Sequence, residues 1–277
     1  MAVLGAGTMG HGIAHAAAVG GFETRLYDVS ADALDRARRK IETLAARSVD
    51  AGTLARADAD AALARLATFT SLAPALDGVD FVIEAAPERI DLKLALFAEV
   101  DRLAPPQAVL TSNTSALSLT EMAAALARPA RFAGMHFFNP VHRMRLVEIV
   151  RALETSDQTL AAVEEVARRM GKETVLVRES PGFVTSRVNA LIGNEAFYLL
   201  QEGVASARDI DKALKLGLNH PMGPFELVDL VGLDTRLSVL EYLHRTLGEK
   251  YRPCPLLVQY VKAGRLGRKV GRGVYEY

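Results

Sequence analysis

The sequence predicts a doubly wound α/β domain with a helical protrusion, followed by an all-α C-terminal domain, on three observations. Short apolar runs alternate with amphipathic helical patterns through the first two thirds of the chain. A glycine-rich turn, Gly5-Ala6-Gly7-Thr8-Met9-Gly10, follows the first of those runs. After Ser180-Pro181-Gly182 the strand pattern stops and helical periodicity takes over. The boundary falls there, giving domains 1–181 and 182–277.

Taken in order, the expected strands are Ala2 to Leu4, Glu23 to Tyr27, Leu66 to Thr70, Val79 to Glu84, Ala108 to Ser112, Arg131 to Phe137, Leu146 to Val150 and Thr174 to Val177. A helix from His11 to Val19 joins the first two. From Ser30 to about Arg65 the pattern is helical for longer than one crossover needs and breaks only near Asp50 to Gly52, so it reads as a protruding helical pair. Its Arg36, Arg39, Lys40 and Arg47 could meet phosphates, although a charge run on a helix is usually a solvated face. Leu92, Leu96, Val100 and Leu103 form the inward stripe of the next helix. Thr155 with Gln158 reads as a capping box, Leu160, Val163, Ala167 and Met170 as the buried face behind it, and Gly171 as the stop. Beyond the break, helices are expected from Thr185 to about Val204, Ala207 to Leu216, Phe225 to Leu247 and Pro255 to Ala263.

Composition excludes several function classes. In 277 residues, 33 Lys and Arg balance 33 Asp and Glu, so no global basic field is present to hold nucleic acid or an anionic membrane. The single cysteine, Cys254, can form neither an internal disulfide nor a cysteine-based metal cluster, and no metal is expected. The apolar start to Phe22 lacks a cationic leader and is interrupted by Gly5, Gly7, Gly10, His11, Gly12 and His15, so export is rejected. No later segment approaches the ~18 uninterrupted apolar residues of a membrane helix. A soluble, cytoplasmic protein is the expectation. Only four residues precede Gly5, short for a central strand, which leaves open whether the natural N-terminus is complete.

The turn at Gly5 fits the dinucleotide fingerprint. Its first glycine permits the tight turn, its second lets backbone approach pyrophosphate, and its third lets helix pack on strand. Asp28 ends the second strand 18 residues beyond Gly10, where a carboxylate accepts both adenosine ribose hydroxyls and repels a 2′-phosphate. Gly5, Ala6, Gly7, Thr8, Met9, Gly10 and Asp28 are therefore the expected cofactor residues, and NAD rather than NADP the expected cofactor.

A histidine ending an apolar strand is costly to bury without a hydrogen bond, and His136 in Gly134-Met135-His136-Phe137-Phe138-Asn139-Pro140 is such a residue. Glu148, in Leu146-Val147-Glu148-Ile149-Val150, offers the partner that would fix its tautomer and raise its basicity. A structural histidine would be the ordinary interpretation, and coincidence with the cofactor fingerprint shifts it toward catalysis. Ser112-Asn113-Thr114-Ser115 ends another strand at the same sheet edge. Its Asn113 amide and Ser115 hydroxyl could hold an oxygen or a cofactor amide, but Ser115 or Ser118 would serve equally as a helix cap.

These motifs resemble the L-3-hydroxyacyl-CoA dehydrogenase family, its bacterial short-chain members in particular. GAGTMG at Gly5, SNTS at Ser112, HFFNP at His136, LVEIV at Leu146, PGF at Pro181, HPMGPFEL at His220 and the closing GRKVGRGVYEY fall in family order across nearly the whole chain. The resemblance implies a Rossmann-type sheet domain and NAD-dependent interconversion of an L-3-hydroxyacyl-CoA, such as 3-hydroxybutyryl-CoA, with its 3-oxoacyl-CoA. It implies His136 as base, Glu148 as its partner, and Ser115 as the group placing substrate oxygen and nicotinamide. It further implies that Glu88, Lys93 and Lys269 approach the cofactor, that the helical pair after Asp28 helps hold CoA, and that two copies associate through the C-terminal domain.

One departure stands out. Relatives usually carry asparagine before the arginine that follows PGF, and this chain has Ser186-Arg187, with Asn189 three positions on. Serine is shorter, so Ser186 belongs to the expected site with an altered substrate preference as its consequence. Two further readings stay open: a dehydrogenase acting on 3-hydroxyadipyl-CoA or on free hydroxy acids, and a catalytically silent dinucleotide-binding protein. Acyl-CoA is too large for the crevice alone, so the helical pair and second domain are expected to close over it.

Overall fold

The computed structural model describes residues 1–277. The chain divides into two compact units, Met1–Glu179 and Ser180–Tyr277. In the first, the elements run β1 (Ala2–Leu4), α1 (Gly10–Val19), β2 (Thr24–Tyr27), α2 (Ala31–Asp50), α3 (Arg56–Ala64), β3 (Leu66–Phe69), α4 (Leu72–Leu76), β4 (Phe81–Glu84), α5 (Ile90–Leu103), β5 (Val109–Ser112), α6 (Leu119–Ala124), β6 (Phe132–Phe137), β7 (Leu146–Arg151), α7 (Asp157–Arg169) and β8 (Glu173–Arg178). All eight expected strands form one sheet in the order β3-β2-β1-β4-β5-β6-β7-β8.

The order reverses direction at β1, between β2 and β4, which is where an open α/β sheet leaves a ligand crevice at its carboxyl edge. Pairing is parallel except between β6 and β7, which run antiparallel. Helices cover both faces of the central strands, and β1, β4 and β5 are accordingly buried along their length. Three residues suffice for β1 because it is paired on both sides and its side chains are wholly inaccessible. Leu34, Ala37, Ile41 and Ala45 make the buried face of α2, so the pair α2–α3 rests on α1. Arg36, Arg39, Lys40 and Arg47 lie on its exposed face.

Three local expectations are corrected. The cap of α7 is Ser156, whose Oγ accepts from the Thr159 amide; Thr155 instead donates to the Phe132 carbonyl and is buried. On α5 Val100 is buried as expected, but Lys93 and Phe97 take the inward positions expected of Leu92 and Leu96, and Leu92 is exposed. The third helix expected in the second unit, Phe225 to Leu247, is broken in two at Gly232.

That second unit comprises α8 (Thr185–Gln201), α9 (Ala207–Gly217), α10 (Pro224–Val231), α11 (Leu233–Leu247) and α12 (Pro255–Lys262). Gly232 takes φ +106°, and a Cβ there would lie 2.8 Å from Asp234 Oδ1, so the corner demands glycine. Phe197, Phe225, Leu240, Leu243 and Tyr251 fill the helical core together with Cys254, whose thiol is buried and pushed up by that burial. The chain end is tied by Asp229, which accepts from the Val274 and Tyr275 amides and the Tyr277 hydroxyl. No helix is long and apolar enough to cross a membrane.

His15, on α1, is 7% exposed and its Nε2 has no protein partner. Burial first, then the neighbouring His142, His11 and Lys172 charges, lower its pKa to about 4. The unfolded chain therefore takes up a proton near pH 6.5 that the folded chain refuses until about pH 4, and stability falls across that window as pH falls. Urea unfolding of the protein and of His15→Leu should show the difference in unfolding free energy shifting by about 3 kcal/mol against the parent between pH 7 and pH 4. Parallel pH profiles would refute this account.

Candidate active site

The glycine turn leaves β1 at the switch point. Gly5 has φ +106°, and a Cβ there would sit 2.7 Å from the Ala85 carbonyl oxygen. A Cβ on Gly10 would come 1.7 Å from the Gly5 carbonyl oxygen. These two glycines are required by the turn itself. Gly7 differs: a Cβ there would meet nothing within 4 Å, so protein packing does not demand glycine. The exposed backbone there leaves room for a ligand to approach it.

Thr8 is exposed, and Met9, the N-cap of α1, makes no side-chain cap; with no acidic residue in the first turn the positive helix end is open to an anion. Asp28 follows β2 beside the turn. Its Oδ2 accepts from the Ala6 amide at 2.8 Å and its Oδ1 from the Ser30 amide at 3.0 Å, and each oxygen retains capacity for a ribose hydroxyl. The residues present thus fit NAD: a backbone cradle with space above it and a carboxylate that disfavours a 2′-phosphate.

Further along the same edge, the antiparallel register places His136 directly opposite Glu148. The Glu148 carboxylate oxygen Oε2 lies 2.8 Å from His136 Nδ1, and the pair is buried, with Glu148 wholly inaccessible and His136 4% exposed. On the other side, Ser115 Oγ lies 3.2 Å from His136 Nε2, and the Phe138 ring packs at 4.6 Å between centroids. With Glu148 accepting from Nδ1–H, Nε2 is the nitrogen that can exchange a proton. The arrangement can act as a general acid or base.

Asn113 fixes the strand end, its Oδ1 accepting from the Phe137 amide at 2.8 Å. The ambiguity between Ser115 and Ser118 resolves structurally: Ser118 Oγ caps α6 by accepting from the Glu121 amide, and the Ser115 hydroxyl faces the imidazole. Beneath this loop lies a polar network that sequence reasoning missed, built on Glu84, Ser112 and Thr114. Its one signal was a carboxylate closing the apolar run Phe81-Val82-Ile83-Glu84.

The Lys93 side chain is 1% exposed, and its ammonium lies against Glu84, the Ala86 carbonyl and Glu88. Glu88 is turned to the Ser115 loop, accepting from the Thr114 hydroxyl and the Ser115 amide. Two expected residues belong to the second unit. Lys269 donates to both oxygens of Asp234 at 2.6 Å, and Ser186 stands half-buried in the first turn of α8.

A dinucleotide cradle beside a carboxylate-braced histidine defines an NAD-dependent oxidoreductase of the Rossmann class. The chain belongs to the 3-hydroxyacyl-CoA dehydrogenase family. The family's NAD binding domain matches residues 1–180 and its C-terminal domain residues 182–277. A 3-hydroxybutyryl-CoA dehydrogenase from Bradyrhizobium diazoefficiens is 46% identical over 99% of this chain and 94% of its own length. The crystal structure of (S)-3-hydroxybutyryl-CoA dehydrogenase from Ralstonia eutropha superposes with a TM-score of 0.96 at 46% identity, covering 100% of this chain and 98% of that one. A 3-hydroxyadipyl-CoA dehydrogenase from Escherichia coli is 43% identical over 100% of this chain and 58% of its own greater length.

The open space beside Gly7 gives a direct test. Gly7→Ala should leave the thermal unfolding temperature unchanged but weaken NADH binding, followed by nicotinamide fluorescence, by at least about tenfold, equivalent to about 1.4 kcal/mol. Unchanged affinity would show that the pyrophosphate does not cross this residue.

Proposed function

We propose that the protein interconverts L-3-hydroxybutyryl-CoA and acetoacetyl-CoA, with His136 as the general base of oxidation and the general acid of reduction. The observation that carries this reading is the bracketed imidazole, with Glu148 at 2.8 Å on Nδ1 and Ser115 at 3.2 Å on Nε2. A dinucleotide-binding domain without chemistry needs neither. Bound NAD supplies the hydride acceptor for C3 of the substrate. As the C3–H bond breaks, the hydroxyl proton passes to His136 Nε2 and the C–O bond becomes a carbonyl. Glu148 keeps the Nδ1–H oriented and stabilises the imidazolium that forms. The Ser115 hydroxyl holds the substrate oxygen beside Nε2, and in the reverse reaction the imidazolium returns the proton to that oxygen.

Asp28 and the glycine turn bind the dinucleotide in this reading. From the second unit, Lys269 reaches the cofactor and Ser186 contributes one hydrogen bond to the acyl-CoA. The same unit carries the homodimer contact, a reading supported by exposed Leu216 and by a groove of about 570 Å³ lined by Leu191, Leu199, Leu214 and Leu218. A lone thiol fits a reducing compartment, and the cytoplasm is the compartment we infer. A second reading, a 3-hydroxyadipyl-CoA substrate, is favoured by the Escherichia coli relative.

Incubation with NADH and acetoacetyl-CoA should consume reduced nicotinamide absorbance, and His136→Ala should lower kcat by about 10²- to 10⁴-fold with NADH affinity unchanged. Faster turnover of 3-oxoadipyl-CoA would select the second reading. No turnover with any 3-oxoacyl-CoA would refute both.

A further inference from the structure

We propose that Arg236 determines substrate specificity, its guanidinium receiving a carboxylate at the far end of the acyl chain. The inference deepens the second reading above and rests on the role proposed there for Ser186. Arg236 belongs to the buried face of α11, in one row with Leu233, Leu237 and Leu240. It is 5% exposed, and its Nε is sealed from solvent without a hydrogen bond. No carboxylate offsets the charge. Burial alone lowers its pKa, to about 10, so the side chain remains a cation at neutral pH. Lys93 shows the ordinary solution to the same problem, with its ammonium 2.5 Å from the buried Glu84 carboxylate. Stranding a charge is strongly unfavourable, and a core that needed only volume would be better served by an apolar residue. Arg236 is one half of a pair whose other half arrives with a ligand.

The ligand's chemistry follows from shape and place. A planar fork of N–H donors matches a carboxylate or a phosphate bidentately. The stem of Arg236 lies against bare backbone of α8: a Cβ on Gly193 would come 3.7 Å from its Nε and 3.2 Å from Val228 Cγ2. Gly193 stands seven residues beyond Ser186, two turns along the same row of α8, with half-buried Asn189 between them. Seven residues of helix advance ~10 Å. From C3 of a six-carbon acyl chain to its terminal carboxylate is ~4 Å, and a hydrogen bond of ~3 Å at each end brings the span to about 10 Å. A four-carbon chain stops short. The phosphates of an acyl-CoA lie at the opposite end of that molecule from the acyl group, so the anion within reach of this row is an acyl carboxylate.

The test compares 3-oxoadipyl-CoA with 3-oxohexanoyl-CoA, equal in carbon count and different only at the terminal group. Calorimetric titration of each into protein carrying His136→Ala measures binding without turnover. The carboxylate-ended thioester should bind at least about tenfold more tightly, as a charge-assisted pair requires. Adding Arg236→Met should bring the two affinities to within about threefold, and Arg236→Lys, which keeps the charge and loses the fork, should leave an intermediate preference. Arg236→Met should also unfold at no lower a temperature than its parent, because an apolar side chain of similar reach replaces a stranded charge. A preference that survives Arg236→Met overturns the proposal. So does an Arg236→Met protein that unfolds earlier or fails to fold, since the guanidinium would then already have a partner within the chain. Equal binding of both thioesters by the parent overturns this inference alone, whereas no binding of either overturns the acyl-CoA reading as well.

Discussion

One antiparallel step in an otherwise parallel sheet is the constraint on which the site depends. Were β7 parallel to β6, a crossover would separate His136 from any neighbour on the next strand. The reversal brings Glu148 opposite His136 on the same face, after a connection of only a few residues. Register then matters more than proximity. A slip of one residue would present Val147 or Ile149 to the imidazole, and the acidic side chain would turn to the other face. The apolar residues flanking Glu148 in β7 are buried, so sliding the strand would also drive the carboxylate into their packing.

Charge inside this unit is concentrated at strand ends. Glu84, Ser112 and His136 all stand at or near the carboxyl ends of β4, β5 and β6, successive neighbours in the sheet. Burial alone pushes the Glu84 carboxyl above the usual carboxylate range, against the opposing pull of Lys93, Ser112 and the Ala86 amide. The parallel sheet supplies the geometry, since its strands end level along one edge, and each end opens into a loop whose backbone needs partners. Glu84 and Glu88 satisfy two such loops at once. The strand ends at the crevice are therefore braced from below by the inaccessible Glu84 carboxylate.

Much of this was legible in the sequence. The eight strands announced themselves as short apolar runs, and the Gly5 turn with Asp28 named the cofactor because each glycine has a distinct steric reason. The pairing of His136 with Glu148 was readable as two polar intruders in adjacent apolar strands. What misled was α5. Leu92, Leu96, Val100 and Leu103 carry a helical period, but the buried carboxylate of Glu84 requires a cation, so Lys93 takes the inward direction and Leu92 turns outward. Periodicity counts apolar side chains and is blind to a charge that must be neutralised by a residue distant in sequence. Gly232 was equally invisible, because glycine within a helical pattern is tolerated until its φ is known. Thr155 resembled a cap only because it stands beside Ser156, and its hydroxyl proved committed to β6.

The brevity of β1 has a practical corollary. Its three residues run from the amino edge of the sheet to the dinucleotide turn, and the Met1 ammonium group donates to the Glu23 carbonyl just before β2. Any polypeptide attached ahead of Met1, whether a fusion partner or an affinity tether, must leave from the edge opposite the crevice. The ligand-binding edge stays clear of such attachments, and immobilisation through that end would orient the molecule with its crevice outward.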